Sequence, residues 1–220
     1  MTVRPISPTI KESSYECSMT VDCAVFGFHE NQLKILLVKR SIQPFKNRWL
    51  LPGGIMEEGQ TLVESVDFVL HQLTGITNLH KQQVKTYSDV NRHPTKRVVT
   101  VCYYALVKPE NHPVIPKNHI SEVKWHAINE SLPKLAFDHS TLLNDALDAL
   151  KSNLRDKLIF GELLPEMFTL KELQDLYENI LGEELDRRNF RRKIHQMNLL
   201  ELTGNKKIGV QGGPSLYRLK

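Results

Sequence analysis

The 220 residues carry 40% apolar and 25% charged side chains, a soluble globular composition, long enough for one domain of roughly 150 residues plus a smaller one. No apolar run approaches the ~18 residues a membrane span needs, and MTVRPISPTIKESSYEC lacks the apolar stretch of a secretory signal. A cytoplasmic protein with no membrane partner is expected. The net charge of +4 is uneven: residues 187–220 hold nine Lys or Arg against one acid, Glu201, which gives +8 there and leaves −4 for residues 1–186. An acidic body with a basic end suits a phosphate-binding appendage, although charge alone does not separate that from a solvated basic face. Cys17, Cys23 and Cys102 are odd in number and lack C-x-x-C spacing, so they read as thiols rather than a disulfide framework or a zinc site.

Residues 1–17 are polar, with two prolines, and read as a loose arm. Thr20–Phe28 and Leu33–Arg40 are strands, near-continuous in Val, Ile and Leu as strands buried on both faces are, with a turn at His29-Glu30-Asn31. After Trp49-Leu50-Leu51-Pro52, Gly53-Gly54 reads as a forced turn. Leu62, Val66, Val69, Leu70 and Leu73 line one face of a helix over Thr61–Leu73, and Gly75 ends it. Strands are expected near Val84–Val90, over Arg97–Lys108 and around Val123–Ala127, then a helix capped by Asp138 and running to about Leu154.

A linker over 156–167, carrying Gly161 and Pro165, leads to a second unit. Thr169 and Glu172 form a capping box, Leu173, Leu176, Tyr177 and Ile180 an apolar stripe, and Gly182 a stop. Asp186 caps a second helix, Arg187–Met197. Phe190, Ile194 and Met197 take its buried side, while Arg187, Arg188, Arg191, Arg192 and Lys193 crowd the other. Short strands at Leu199–Thr203 and Leu216–Leu219 flank a loop, Gly204–Ser215, with Lys206 and Lys207 at its tip. Two helices followed by a basic-tipped hairpin is the order of a winged helix-turn-helix.

Residues 53–76, GGIMEEGQTLVESVDFVLHQLTGI, resemble the Nudix box, GG-x5-E-x7-R-E-U-x-E-E-x-G-U with U aliphatic. Gly53, Gly54, Glu57, Gly59, Leu70, Gly75 and Ile76 carry the match, and the resemblance covers residues 18–150. It implies a Nudix-like α/β/α sandwich with a mixed sheet. The family's chemistry does not follow. Its three helix carboxylates, which bind the Mg²⁺ that polarises a pyrophosphate, fall on Val69, Gln72 and Leu73, its arginine on Phe68, and its other acid on Gln60. No catalytic residue, metal ligand or cofactor is therefore expected. Glu57, Glu58, Glu64 and Asp67 form either a solvated acidic face or a substitute site.

The order Nudix-like domain, linker, winged helix resembles a bacterial family of Nudix-related transcriptional regulators, through FTLKELQDLYENILG, DRRNFRRKI and GGPSLYRL. The family includes NAD-metabolism repressors sensing ADP-ribose-like nucleotides and relatives sensing arabinose. The resemblance implies a cytoplasmic homodimer that binds double-stranded DNA and a small-molecule effector, an ADP-ribose-like nucleotide or a pentose. The expected organisation is an arm (1–17), a ligand-sensing domain (18–155) and a DNA-binding winged helix (156–220). Tyr87, Arg92, His93, Arg97 and Tyr103 are the candidate ligand-binding residues, with Trp125 nearby, since aromatic and cationic groups suit a base, a sugar or a phosphate. Asp89–Arg97 looks like the regulators' ligand loop, and Phe137-Asp138-His139 is a second short match. Arg188 and Asn189 are candidate base readers; Arg187, Arg191, Arg192, Lys193, Lys206 and Lys207 complete the DNA-binding set. Where family members carry a loop arginine, this chain has Gly213. Two other readings stay open: a nucleoside-diphosphate hydrolase with an atypical metal site, and a scaffold whose winged helix binds protein.

Overall fold

The computed structural model describes residues 16–77, 79–154, 161–209 and 211–220; most of the expected arm and residues 156–160 of the expected linker lie outside that set. The larger unit is built on a seven-stranded mixed sheet. Its central strand β1 (Ser18–His29) is antiparallel to β2 (Gln32–Arg40), and the I′-type turn between them sets Glu30 and Asn31 at φ 53 and 57. On its other side β1 runs parallel to β6 (Val98–Val107). The short β3 (Trp49–Leu50) and β7 (Ile120–Ala127) pair with β2, β4 (Gly53–Ile55) pairs with β1, and β5 (His80–Tyr87) closes the edge on β6.

Period-2 alternation divides the apolar residues between two layers. Val21, Cys23 and Val25, with Val101, Tyr103, Ala105 and Val107, pack beneath α1 (Leu62–Thr74). Ala24, Phe26 and Phe28, with Cys102, Tyr104 and Leu106, pack beneath α2 (His139–Ser152) on the opposite face. Covering both faces is what demands uninterrupted apolar runs in β1 and β2. Cys23 and Cys102 are buried, which pushes both thiols up out of the reactive range, and Cys17 is half-buried.

The expected turn at Gly53-Gly54 is instead a strand lying directly on β1, with Gly53 opposite Asp22 and Gly54 opposite Val21. A Cβ at Gly53 would fall 1.8 Å from Asp22 Oδ1, and one at Gly54 would fall 3.0 Å from Val69 Cγ2. The two glycines permit close approach; they do not bend the chain.

The smaller unit comprises α3 (Leu170–Leu181), α4 (Arg187–Met197) and the hairpin β8 (Leu200–Lys206) and β9 (Ser215–Leu219), with Phe168 bridging to Tyr217. Thr169 and Glu172 make the reciprocal capping box, and Asp186 accepts from Asn189 N–H at 2.8 Å. The stretch expected as a linker is partly structural, because Leu163 and Leu164 are buried. Both units share one apolar cluster, running from Phe26 and Leu33 through Leu150 to Leu173, Tyr177 and Phe190. Asn179 of α3 clasps the β1–β2 turn: Leu33 N–H donates to its Oδ1 at 3.2 Å, and its Nδ2 donates to Asn31 O at 3.0 Å.

Candidate functional site

A cleft of about 700 Å³ opens at one end of the larger unit. Its lining includes Gly53 and Gly54 of β4, and Phe68, Val69, Gln72 and Leu73 of α1, the positions where the Nudix pattern places arginine and the metal-binding carboxylates. Arg40 at the end of β2, Arg92, His93 and Lys96 from the β5–β6 loop, and His119 supply cationic and imidazole groups around it.

The inner wall holds a buried polar network. Asp22 on β1 accepts from Thr100 Oγ1 at 2.7 Å. Arg92, its side chain only 5% exposed, donates through Nε and Nη2 to the two carboxylate oxygens of Asp138, at 3.0 and 2.8 Å, and Nη2 lies 3.8 Å from Asp22. His139 Nδ1 accepts from Leu51 N–H at 3.0 Å, so the neutral ring carries its proton on Nε2, which faces Asp22 Oδ1 at 3.6 Å. Burial holds the His139 pKa below the ordinary histidine value. Desolvation, followed by nearby Lys96 and arginine charge, does the same for His93, as desolvation and Arg40 do for His119. At neutral pH the positive charge of the cleft therefore rests on Arg40, Arg92 and Lys96. Phe137 forms one lip, with its ring stacked on His93 at 5.3 Å and edge-on to Phe45 at 4.6 Å.

Among the five expected ligand residues, Arg92 and His93 line the cleft and three do not. Tyr103 packs in the apolar layer beneath α1 with its hydroxyl on Gln83, because its odd register in β6 turns it to that face. Tyr87 donates to Asp145 of α2 at 2.6 Å. Arg97 braces its own loop by donating to Asp89 O at 2.9 Å. Trp125 packs against the layer beneath α1, over Gly27. Asp138 stands at the cap position of α2, yet its carboxylate makes no capping bond and is engaged by Arg92. Lys96 and His139 lie inside the two short segments that resemble the regulators, while Arg40, His119 and Asp22 went unrecognised in sequence. Of those three, only Asp22, a lone acid within an apolar strand, carried a local signal.

A divalent cation does not fit the Nudix-box helix. Val69 and Leu73 are apolar, and Gln72 bonds Asn118. Glu64 closes the Thr61 capping box, and Asp67 pairs with Lys81 at 2.6 Å, so both carboxylates already have partners. Among the described residues no cluster of three or more His, Cys, Asp or Glu could hold a metal ion.

On the smaller unit, Arg187, Arg188, Asn189, Arg192 and Lys193 project from α4 into solvent and Arg191 is half-exposed, while Phe190 and Ile194 anchor the helix inward. Arg192 donates to Asn189 Oδ1 at 3.0 Å. In the wing, Lys206 is exposed, but Lys207 is committed to Glu172 of α3 at 2.6 Å, which weakens its case as a phosphate contact.

Residues 19–146 match the NUDIX domain family, and residues 160–219 match the NrtR DNA-binding winged helix domain. Over 203 residues the chain is 36% identical to the ADPR responsive transcriptional repressor NtrR of Acinetobacter baylyi, covering 91% of this chain and 81% of that one. Shewanella oneidensis NrtR complexed with a 27mer DNA superposes with a TM-score of 0.79 at 36% identity, covering 92% and 93% of the two chains. Its NUDIX domain complexed with ADP ribose gives 0.59 at 33% identity, covering 65% and 94%. An ADP-ribose pyrophosphatase of Methanocaldococcus jannaschii is 34% identical over 122 residues, 56% of this chain and 70% of that one.

A Nudix fold that ends in a basic winged helix, with a cleft beside the Nudix helix, defines a ligand-responsive DNA-binding transcriptional regulator. The chain belongs to the NrtR family of these regulators.

Proposed function

We propose that the Nudix domain (residues 18–155) binds ADP-ribose without hydrolysing it, and that binding changes the affinity of the winged helix (residues 156–220) for operator DNA. The observation that carries this reading is the chemistry of the cleft. Where the family pattern puts three carboxylates there are Val69, Gln72 and Leu73, while Arg40, Arg92 and Lys96 stand on the same cavity. A diphosphate in a hydrolase site needs a divalent cation to offset those carboxylates. Here it meets fixed cations and an apolar floor, so binding is metal-independent and nothing activates water. Phe137 and His93 offer a stacked aromatic edge for a base. The A. baylyi and S. oneidensis relatives favour ADP-ribose over a pentose. The protein acts in the cytoplasm as a homodimer, since one short recognition helix reads too few bases for specificity.

Hydrolysis is the second reading, favoured by the pyrophosphatase relative and by Glu57 on the cleft. Calorimetric titration of ADP-ribose in EDTA and in Mg²⁺, followed by assay for AMP, separates the two. Equal affinity and no AMP is the expected result. Binding only with Mg²⁺, or turnover to AMP, overturns the sensor reading.

A further inference from the structure

The corner Phe137-Asp138-His139 joins the cleft to the start of α2, and its geometry is unusual. Phe137 adopts φ +52, left-handed backbone that a bulky residue holds only when its surroundings impose it. His93 and Phe45 pack its ring, and Ala136 N–H, just before it, donates to Trp49 O at 2.8 Å. Asp138 gives only its backbone carbonyl to the first turn of α2, accepting from Thr141 and Leu142 N–H. Its carboxylate is held by Arg92 of the β5–β6 loop.

At the other end, α2 abuts the winged helix. Its 14 residues span about 20 Å. Leu142, Ala146 and Leu150 are fully buried against the sheet side, which favours movement as a rod over bending. Just beyond its C-terminus, Leu154 O accepts from Tyr177 OH at 3.2 Å. The Tyr177 ring meets Phe190 edge-to-face at 5.2 Å, and Phe190 is the buried anchor of α4, whose opposite face carries the arginines.

Resting on the effector reading above, we infer that the Arg92–Asp138 pair is a latch on this corner, and that α2, Leu154, Tyr177 and Phe190 carry its state to the DNA-reading helix. Arg92 is the latch because it lines the cleft and its guanidinium can pair with a carboxylate or a phosphate in the same forked geometry. A diphosphate ligand exchanges with Asp138 on Arg92. Freed of Arg92, Asp138 no longer holds the corner, the left-handed Phe137 relaxes, and α2 shifts against Tyr177. Asp138 and Tyr177 are positioning residues: neither lines the cleft.

The test uses the full chain and a fluorescein-labelled duplex from upstream of its own gene. DNA affinity is measured with and without saturating ADP-ribose for the wild type, Asp138→Asn and Tyr177→Phe. Saturation keeps any change in ligand affinity out of the ratio. The wild type is expected to respond about tenfold or more, and both variants to lose at least about threefold of that response. Tyr177→Phe keeps the ring and gives up the hydroxyl's bond to Leu154 O, so its ADP-ribose affinity and its ligand-free DNA affinity should stay within about twofold of wild type. If Asp138→Asn does not fold, Tyr177→Phe decides alone. A full wild-type response in the folded variants overturns the relay while leaving the effector reading standing. A wild-type ratio of one overturns the effector reading, and the relay with it.

Discussion

Asp22 shows how a buried acid is made tolerable: Thr100 donates to it, Arg92 stands within 3.8 Å and His139 within 3.6 Å. His139 is completely enclosed there, with Asp22, Asp138, Arg92 and Arg40 acting on it, and desolvation dominates by holding it neutral. Its folded pKa lies below the unfolded value of about 6.5, so between those two values the unfolded chain binds more protons. Stability contributed by the neutral ring is thus present above about pH 6.5 and lost as pH falls below it. Urea midpoints taken near pH 7.5 and pH 5.5 should fall further for the wild type than for His139→Gln, which retains an acceptor for Leu51 N–H. Equal losses would remove His139 from the account. A second prediction concerns Gln72, on the cleft where the Nudix pattern has a carboxylate. Gln72→Glu places a negative charge beside the ligand phosphates and should weaken ADP-ribose binding in EDTA by about threefold to tenfold, an effect of about 1 kcal/mol at solvent-like dielectric. Unchanged affinity in calorimetry would place the phosphates elsewhere.

Elements read well from sequence where one local rule decided them. The capping box at Thr169, the left-handed stops at Gly75 and Gly182 and the apolar runs of β1 and β2 are local features, and the structure has each of them. The candidate site was less legible because it depends on register and on chain-distant pairing. Tyr103 and Tyr104 differ by one position in β6 and face opposite layers, which no composition argument foresees. Arg40, Lys96 and His119 meet only because three connections converge on one end of the sheet. At this scale Gly53→Ala is a sharp test of β4. Its Cβ would lie 1.8 Å from Asp22 Oδ1, so strand pairing or the polar network must shift, with an expected loss of about 1–3 kcal/mol or more in chemical denaturation. A loss under about 0.5 kcal/mol would mean that β4 does not pack on β1 as described. On α4, Arg192→Ala should weaken binding to all DNA sequences alike and lower the log–log salt slope by about one. An unchanged slope would take Arg192 off the phosphate backbone.

At the scale of the whole molecule, residues 187–220 carry +8 against −4 for residues 1–186, and a shared apolar cluster fastens the winged helix to the Nudix unit. The cationic excess of the smaller unit is thus concentrated on α4 and the hairpin, where a phosphate backbone can be met. The shared cluster and the Asn179 clasp make the units one packed body, so a change at the cleft has a physical route to α4. Domain order was legible because each unit has its own periodicity; the packing between them was not, because Leu163 and Leu164 sit in what reads as linker. The most direct test of the central claim is an anisotropy titration of the full chain with DNA from upstream of its own gene, with and without ADP-ribose. The account predicts binding tighter than to random duplex, falling steeply with salt, with an affinity that saturating ADP-ribose changes about tenfold or more. Binding no tighter than to random DNA, or an affinity indifferent to ADP-ribose, would contradict it.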